Sequence, residues 1–274
     1  MTGGLVTPRA LSHLVYPPAG EPDLEDLAEC YHEAAKTSLR TIGRESPGMA
    51  ALEADATLRE LVGCAVRRHG HRDAITLPAA ETIGSGLTAL LQARRSGRAF
   101  DDSALALADL ATLLHCGYGT VSGGPTPRRT VPSGGALYPL ELYLVASRAE
   151  SLQKGTYHYD PLRHALEELE LRDADAQLAD VHLYPELATA AVLLVVTGVF
   201  GRSRFKYGLR GYRFTLLEAG HVLQNVVLAA TAMKLTAIPV AGVDDRALER
   251  LLRIDGVDES VVYCAAIGCA PRSE

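Results

Sequence analysis

Apolar residues recur every three or four positions in several stretches of the chain, which is the spacing of one face of an α-helix. This pattern predicts helices over residues 23–40, 52–68, 86–95, 107–116, 212–233 and 245–252. Gly117 directly follows the fourth of these stretches, at the position where a glycine commonly ends a helix. Residues 1–22 are rich in Pro and Gly without a clear period, so we predict an irregular arm there.

Other stretches are continuously apolar and rich in β-branched residues, as expected of buried strands. They predict strands over residues 141–147, 156–160, 190–199, 237–241 and 261–267. Because these strands do not alternate regularly with single helices, the pattern indicates an α+β fold rather than a doubly wound sheet. The intervening segment 117–135, rich in Gly, Pro, Ser and Thr, is long for a connection and predicts a binding loop.

Composition and charge narrow the class of protein. The chain has 274 residues, of which 47% are hydrophobic and 22% charged, as in ordinary globular proteins. Its net charge of −6 argues against a nucleic-acid partner, which requires a basic surface. The five scattered cysteines suggest neither a disulfide framework nor a zinc site. With no recognisable signal peptide or membrane span, we expect a cytoplasmic protein that does not contact a membrane.

Arginines cluster in the segment Arg94-Arg95-Ser96-Gly97-Arg98, at the end of a predicted helix. Guanidinium groups bind phosphate oxygens in pairs, and a serine hydroxyl adds a neutral donor, so the segment is a candidate phosphate site. The alternative is a solvated helix end at which arginines complement the helix dipole.

The segment Pro132-Ser133-Gly134-Gly135-Ala136-Leu137-Tyr138-Pro139 ends the long predicted loop. Two glycines allow a flat ligand to approach the backbone closely, although the same sequence also suits a simple turn. Ser133 is a poor candidate for a nucleophile, because it does not lie in a GxSxG context.

Lys206 and Tyr207 are the strongest candidates for proton transfer. A lysine near apolar groups or other cations can act as a base, and an adjacent tyrosine can assist it. The alternative is a basic surface turn. Downstream, Glu218, His221 and Asn225 lie on one stripe of a helix, where we favour a buried structural network over catalysis.

The pair His69-Gly70-His71 resembles a metal site only superficially. No third ligand follows at a plausible spacing, so we predict a solvated loop and no bound metal.

Six of these motifs, in this order, resemble the nitroreductase-like flavoenzyme superfamily and its SagB-type, or McbC-like, azoline dehydrogenase branch. They are RRSGRAF, PSGGALYP, GTYHYDP, KYGLRGYRF, EAGHVLQN and AAIG, and the resemblance runs from about residue 87 to residue 268. The resemblance implies a mostly antiparallel central sheet flanked by helices, in an interlocked homodimer with FMN at the subunit interface. It also implies that residues 81–274 form the FMN-binding domain, and that residues 1–80 are an N-terminal arm and helical extension.

The same resemblance assigns the candidate site residues. Arg94, Arg95, Ser96 and Arg98 would hold the FMN phosphate, with Arg272 as the basic residue that completes the phosphate site. Pro132, Ser133, Gly134 and Gly135 would line the flavin ring from the partner subunit, and Pro239, Val240, Ala241 and Gly242 would face its other side. Lys206 and Tyr207 match the catalytic pair of the family.

The activity so implied is oxidation of a thiazoline or oxazoline to the aromatic azole, with hydride passing to flavin N5 and a proton to Lys206. The substrate would be peptide-borne or carrier-bound, supplied by a cyclodehydratase or another biosynthetic partner. The alternatives are an NAD(P)H-dependent nitro- or ene-reductase, or another FMN-dependent dehydrogenation of a peptide or amino-acid-derived substrate. A flavin-free scaffold partner and a hydrolase using Ser133 rank lower.

Overall fold

The computed structural model describes residues 27–36, 47–69, 73–121, 127–171, 181 and 184–271. The chain divides into two compact units, Met1–Ile42 and Gly43–Glu274. In the first unit, helix α1 (Leu27–Ala34) occupies the middle of the helix predicted at residues 23–40. All other elements described below belong to the second unit. The boundary expected after residue 80, between an extension and a flavin domain, stays a prediction.

A seven-stranded sheet forms the centre of the second unit. The strands of the unit are β1 (Ala74–Thr76), β2 (Thr120–Val121), β3 (Arg128–Arg129), β4 (Leu140–Ala146), β5 (Gly155–Asp160), β6 (Ala165–Glu170), β7 (Val192–Val199), β8 (Leu235–Val240) and β9 (Glu259–Cys269). The sheet order is β1-β6-β5-β4-β7-β9-β8, and every neighbouring pair is antiparallel. Strands β2 and β3 form a separate two-stranded ribbon within the predicted loop. The predicted α+β fold with an antiparallel sheet is therefore confirmed, although the sequence reading missed β1, β2, β3 and β6.

Helices cover the sheet. They are α2 (Pro47–Ala54), α3 (Ala56–Gly63), α4 (Leu87–Ala93), α5 (Leu107–Tyr118), α6 (Phe200–Tyr207), α7 (Arg210–Ala232) and α8 (Asp245–Leu252). The single helix predicted at residues 52–68 is wrong, because the chain forms two short helices there. Asp55 separates them and caps α3, since its carboxylate accepts a hydrogen bond from the Leu58 amide at 3.0 Å.

The prediction that Gly117 ends α5 is also wrong. The helix continues to Tyr118, and Gly119 is its C-terminal cap. Gly117 is buried, and a Cβ atom placed on it would lie 2.7 Å from Val226 Cγ2 of α7. The glycine therefore permits the close approach of two helices rather than a chain reversal.

The two faces of the sheet pack differently. On one face, Leu142 and Leu144 of β4 lie in a large apolar cluster that includes residues of α5 and α7. On the other face, Tyr143 and Val145 lie in a second cluster that includes residues of α8. Because β4 is buried on both faces, its sequence LELYLVA is hydrophobic except for Glu141, which is why the strand was predictable. Among the residues described, no helix combines the length and the apolarity needed to cross a membrane.

Candidate active site

Lys206 and Tyr207 lie in the last turn of α6, which follows β7 directly, and both side chains are half-buried. Their charged and polar ends meet the glycine loop that precedes β4. A Cβ atom placed on Gly135 would lie 2.8 Å from Lys206 Nζ and 2.7 Å from Tyr207 Oη. Gly135 has φ +67°, a conformation that favours glycine. Two motifs that are about 70 residues apart in the sequence therefore meet at one point.

Ser133 holds this loop in shape. Its Oγ accepts a hydrogen bond from the Tyr138 amide at 2.9 Å, and its hydroxyl also bonds to Glu218. Beside it lies a cavity of about 300 Å³. The cavity is lined by Pro132, Ser133, Gly134, Phe214, Leu217, Glu218 and His221. Three of the four predicted loop residues thus line this cavity, and the fourth, Gly135, lies at the Lys206-Tyr207 pair.

Glu218 is the buried acid of the cavity. Tyr118 donates a hydrogen bond from its hydroxyl to Glu218 Oε1 at 2.9 Å and accepts one from the Leu140 amide at 3.2 Å. Burial raises the pKa of Glu218 to about 7, because the hydroxyl donors only partly compensate for lost solvation. The carboxyl group is therefore protonated in a large part of the molecules at neutral pH.

Of the predicted buried stripe on α7, Glu218 is buried, Asn225 is half-buried but hydrogen-bonded, and His221 is exposed. Glu218 belongs to the network just described, and Asn225 donates from Nδ2 to the carbonyls of Cys116 at 3.2 Å and Thr130 at 3.3 Å. His221 departs from the prediction, because it is exposed in the single chain and lines the cavity.

The arginine segment lies against β8, an edge strand of the sheet. The Gly97 amide donates to the Ala237 carbonyl of β8 at 3.4 Å, and a Cβ on Gly97 would lie 2.6 Å from Thr236 Cγ2. The arginines then diverge. Arg98 points into a pocket, whereas Arg95 Nη1 donates to the carbonyls of Gln92 and Arg94 at 2.9 Å and so caps the end of α4.

The pocket at Arg98 has a volume of about 380 Å³. It is lined by Arg98, Tyr184, Leu187, Ile238, Pro239, Val240, Ala241 and Gly242. The structure therefore brings Arg98 together with all four residues of the PVAG segment. Arg94 lies 3.5 Å from Ser96, measured between Nη1 and Oγ, outside the lining of this pocket. Arg272 lies outside the described residues.

The predicted site residues consequently form two groups. One surrounds Arg98 and the PVAG segment; the other surrounds the Ser133–Gly135 loop and Lys206. The pockets at Arg98 and at Ser133 share no lining residue. Among the described residues of one chain, the two groups therefore do not line a common pocket.

Sequence reasoning missed a buried polar cluster on the face of the sheet opposite α7. The strand register places Tyr143, His158 and Glu167 directly beside one another on β4, β5 and β6. His158 Nε2 lies 2.8 Å from Glu141 Oε2, and Arg202 donates to Glu141 Oε1 at 2.6 Å. The available signal was a charged or polar residue inside a buried strand, such as His158 in β5. Its partner Glu167 could be identified only if β6 was also recognised as the neighbouring strand.

In this cluster, hydrogen bonds between oppositely charged groups outweigh the effect of burial on their pKa values. Burial lowers the pKa of His158, but hydrogen bonds to Glu141 and Glu167 outweigh burial and raise it above its ordinary value. Burial likewise raises the pKa of Glu141, and the bonds from His158 and Arg202 reverse the effect, so the net pKa lies well below the ordinary range. The cluster is therefore a set of ionised pairs.

The prediction of a solvated loop at His69 is wrong. Its amide donates to Glu167 Oε2 at 3.2 Å, its ring lies 5.0 Å from that of His158, and burial lowers its pKa to about 4. His69, His158 and Glu167 each offer a ligating atom, and these atoms lie within 4.8 Å of one another. Because His158 already bridges two carboxylates, we interpret the cluster as structural. Gly70 and His71 lie outside the described residues.

Known proteins resemble this chain in sequence and in fold. Residues 91–269 match the Nitroreductase family. A nitroreductase-like protein of Methanocaldococcus jannaschii is 34% identical over 181 residues, which cover 66% of this chain and 89% of that protein. The microcin B17-processing protein McbC of Escherichia coli is 33% identical over 161 residues, covering 57% of this chain and 59% of McbC.

A solved structure extends the likeness to the whole fold. The chain superposes with a TM-score of 0.59 on a chain of the E. coli microcin synthetase McbBCD complex with truncated pro-MccB17 bound. The match covers 86% of this chain and 99% of that one at 24% identity, which supports the fold alone. The sequence match and the fold agree, and the chain belongs to the nitroreductase family.

Proposed function

We propose that this chain is an FMN-dependent dehydrogenase that oxidises a thiazoline or oxazoline, in a peptide or a carrier-bound intermediate, to the aromatic azole. The observation that carries the proposal is the meeting of Lys206 Nζ and Tyr207 Oη at the backbone of Gly135. Family membership makes the chain an oxidoreductase, and the similarity to a microcin-processing protein favours a peptide-derived substrate.

The residues at Arg98 fit FMN. The Arg98 guanidinium in the lining suits a phosphate, and the small side chains of the PVAG segment leave its backbone open to a flat ring. Gly242 has no room for a side chain, because a Cβ there would lie 2.5 Å from the Tyr184 ring, so the wall stays close to the backbone. When bound, FMN supplies the acceptor for the substrate hydride.

Lys206 and Tyr207 would perform the proton transfer. The ring carbon next to the carbonyl carries the acidic proton, and Lys206 Nζ would accept it as the general base. Tyr207 Oη, which points at the same glycine, would donate a hydrogen bond and hold the substrate ring in place. Loss of one proton and one hydride converts the azoline to the azole, so the electrons balance.

A homodimer would join the two groups of site residues. The pockets at Arg98 and Ser133 share no lining residue, so a second copy of the chain would bring one group to the other. Helices α4 and α7 contact each other, and both expose large apolar side chains: Leu87 is 63% exposed and Leu217 is 56% exposed. Such side chains are expected to be buried between subunits.

Purified protein tests the proposal. We expect flavin absorbance, and oxidation of a synthetic thiazoline peptide in air. Lys206→Ala should keep its FMN and lose at least about a hundredfold in rate, as expected for removal of a general base. Lys154→Ala is the matched control, because Lys154 is exposed and precedes β5. Full activity in flavin-loaded Lys206→Ala would exclude this role of the lysine.

An NAD(P)H-dependent reductase is the second candidate function. The observation that favours it is the 34% identity with the nitroreductase-like protein of M. jannaschii. Rapid mixing of the flavin-loaded protein with NADPH separates the two functions. Fast bleaching of the flavin without any azoline would favour the reductase, whereas bleaching by the thiazoline peptide alone would favour the dehydrogenase.

A biosynthetic partner would supply the azoline, because the ring must first be formed from a Cys, Ser or Thr residue. The solved McbBCD structure is a complex with a truncated pro-peptide, and we propose a comparable assembly for this chain.

A further inference from the structure

A cavity of about 320 Å³ adjoins Lys206 on the side of α2 and α3. It is lined by Met49, Leu52, Glu53, Arg59, Val62, Gly135, Ala136 and Lys206. Five of these eight residues belong to α2 and α3, which lie outside the family match at residues 91–269. Lys206 thus has a wall that the family domain does not provide.

The wall is firmly attached to the helix that carries Lys206. A Cβ placed on Gly48 of α2 would lie 2.4 Å from the Phe205 carbonyl oxygen and 2.7 Å from the Phe205 ring. Only a glycine allows the first turn of α2 to lie so close to the residue that precedes Lys206. The position of α2 is therefore coupled to that of the candidate base.

Arg59 joins the two helices of the wall. Its Nη1 donates to the carbonyl oxygens of Leu52 at 2.5 Å and Glu53 at 2.9 Å. Carbonyls at the end of a helix lack partners within the helix, so Arg59 of α3 satisfies the last turn of α2. Helix α2 is therefore held at its first turn by the contact between Gly48 and Phe205, and at its last turn by Arg59.

The chemistry of the lining defines a ligand class. Met49, Leu52, Val62 and Ala136 present apolar groups, while Glu53 and Arg59 are exposed at the rim. The volume lies near the lower limit for ligand pockets, roughly 300 Å³. A five-membered ring with one apolar side chain suits this space, whereas a long peptide segment does not.

We propose that the α2–α3 wall is a substrate subsite that binds the apolar side chain of the residue next to the azoline ring, and thereby selects among substrates. The inference rests on the proposed function, because it places the reacting ring at Lys206. Apolar contacts from Met49 and Val62 would hold the side chain, and the rest of the peptide would leave past Glu53 and Arg59.

Val62→Phe tests the subsite by filling it. The probes are two synthetic thiazoline peptides that differ only in the residue before the ring, leucine or glycine, together with their thiazole products. In Val62→Phe we expect KM for the leucine peptide to rise about tenfold or more, the scale of a blocked apolar pocket. The glycine peptide should change little. Calorimetric titration of the leucine thiazole should show a matching loss of affinity, and FMN content should be unchanged.

Leu61→Phe is the matched control. Leu61 lies on the same helix, is 65% exposed and does not line the cavity, so neither peptide should be affected. Met49→Ala provides the opposite change: it enlarges the subsite and should improve the use of a peptide with cyclohexylalanine before the ring.

The outcomes separate the two proposals. If the wild-type protein oxidises neither peptide, the proposed function fails and the subsite falls with it. If the wild-type protein is active, but Val62→Phe and Met49→Ala leave both the peptide preference and the thiazole affinity unchanged, the subsite alone is overturned.

Discussion

Glu141 and Glu218 are both almost fully buried, at 1% and 3% exposure, yet their surroundings are opposite in character. Glu141 lies among cations: His158 and Arg202 bond to it, and together they hold its pKa well below the ordinary range. Glu218 receives bonds from the hydroxyls of Tyr118 and Ser133, and burial raises its pKa to about 7. Burial alone therefore does not decide the charge of a carboxylate; the donors around it do.

The positions of the two acids suit these states. Glu141 is on the central strand β4 and bonds to the Arg67 amide at 2.6 Å, so its charge joins the segment before β1 to the sheet. Glu218 lines the cavity at Ser133 and Gly134. One acid is a permanent anion of the scaffold, and the other can change its protonation near neutral pH beside the candidate active site.

Removing the scaffold anion should have the largest effect. Glu141→Ala would remove the carboxylate partner of Arg202 and leave His158 with Glu167 alone, and breaking a buried ion pair in this way costs about 3 to 5 kcal/mol. Urea denaturation at pH 7 measures the loss of unfolding free energy. A loss below about 1 kcal/mol would contradict the assignment of Glu141 to an ionised pair.

Glu218→Gln should remove a pH dependence. The pKa of this group is about 7 in the folded protein, against an ordinary value of 4.5. Between these pH values the folded protein binds more protons, so its stability falls as pH rises, by up to roughly 3 kcal/mol in total. Glutamine keeps the shape and does not titrate.

The measurement is urea denaturation of both proteins at intervals from pH 4 to 8. We expect the stability of Glu218→Gln relative to the wild type to increase through this window. Glu60→Gln, an exposed change on α3, is the control. If the unfolding free energies of wild type and Glu218→Gln depend on pH in the same way, Glu218 does not have a raised pKa. The proposed difference between Glu218 and Glu141 would then be wrong.

Tyr118→Phe should have the smallest effect on stability and should sharpen the contrast further. It removes the donor to Glu218 and the acceptor of the Leu140 amide, at a cost of about 1 to 2 kcal/mol. Because the lost hydroxyl favours the carboxylate, the pKa of Glu218 should rise, and the fall in stability should extend to higher pH.

Tyr138→Phe is the control for this change. Its buried hydroxyl accepts a hydrogen bond from the Arg129 amide at 3.3 Å and does not contact Glu218 through a hydrogen bond described here. Tyr138→Phe also loses one buried hydroxyl, so its loss of stability can be compared with that of Tyr118→Phe. The pH range over which its stability falls should match that of the wild type. An identical window in Tyr118→Phe would mean that the Tyr118 hydroxyl does not set the pKa of Glu218.

Local pattern was enough for the elements at the centre of the fold. Strands β4, β7 and β9 and helix α7 have long apolar sequences, and they were predicted with small errors at their ends. Strand β6 was missed because its sequence ALEELE is half acidic. The partners of these acids lie elsewhere in the fold: Glu167 pairs with His158 and Arg163, and Glu170 pairs with Arg253. Helix α6 was missed because its sequence FGRSRFKY has a low mean hydropathy; its helical form depends on its place between β7 and α7.

The candidate site was predictable as a set of motifs and not as an arrangement. Residue types indicated Arg98, Gly135 and Lys206, but no spacing shows that Lys206 meets Gly135 or that Arg98 lies beside Pro239. The role of Tyr118 was also out of reach, because it bonds to a residue 100 positions away. Such contacts arise from tertiary packing of segments that are distant in the sequence.

Gly135 limits which substitutions this sequence can accept during evolution. A side chain there would need the space taken by Lys206 Nζ and Tyr207 Oη, and a conformation at φ +67° that other residues rarely adopt. Both obstructing atoms are ends of flexible side chains, so a mutant could still fold by pushing them aside. Selection for folding would then tolerate the change while selection for proton transfer would not. The glycine, the lysine and the tyrosine should therefore be inherited together, and be lost together in a lineage that abandons the chemistry.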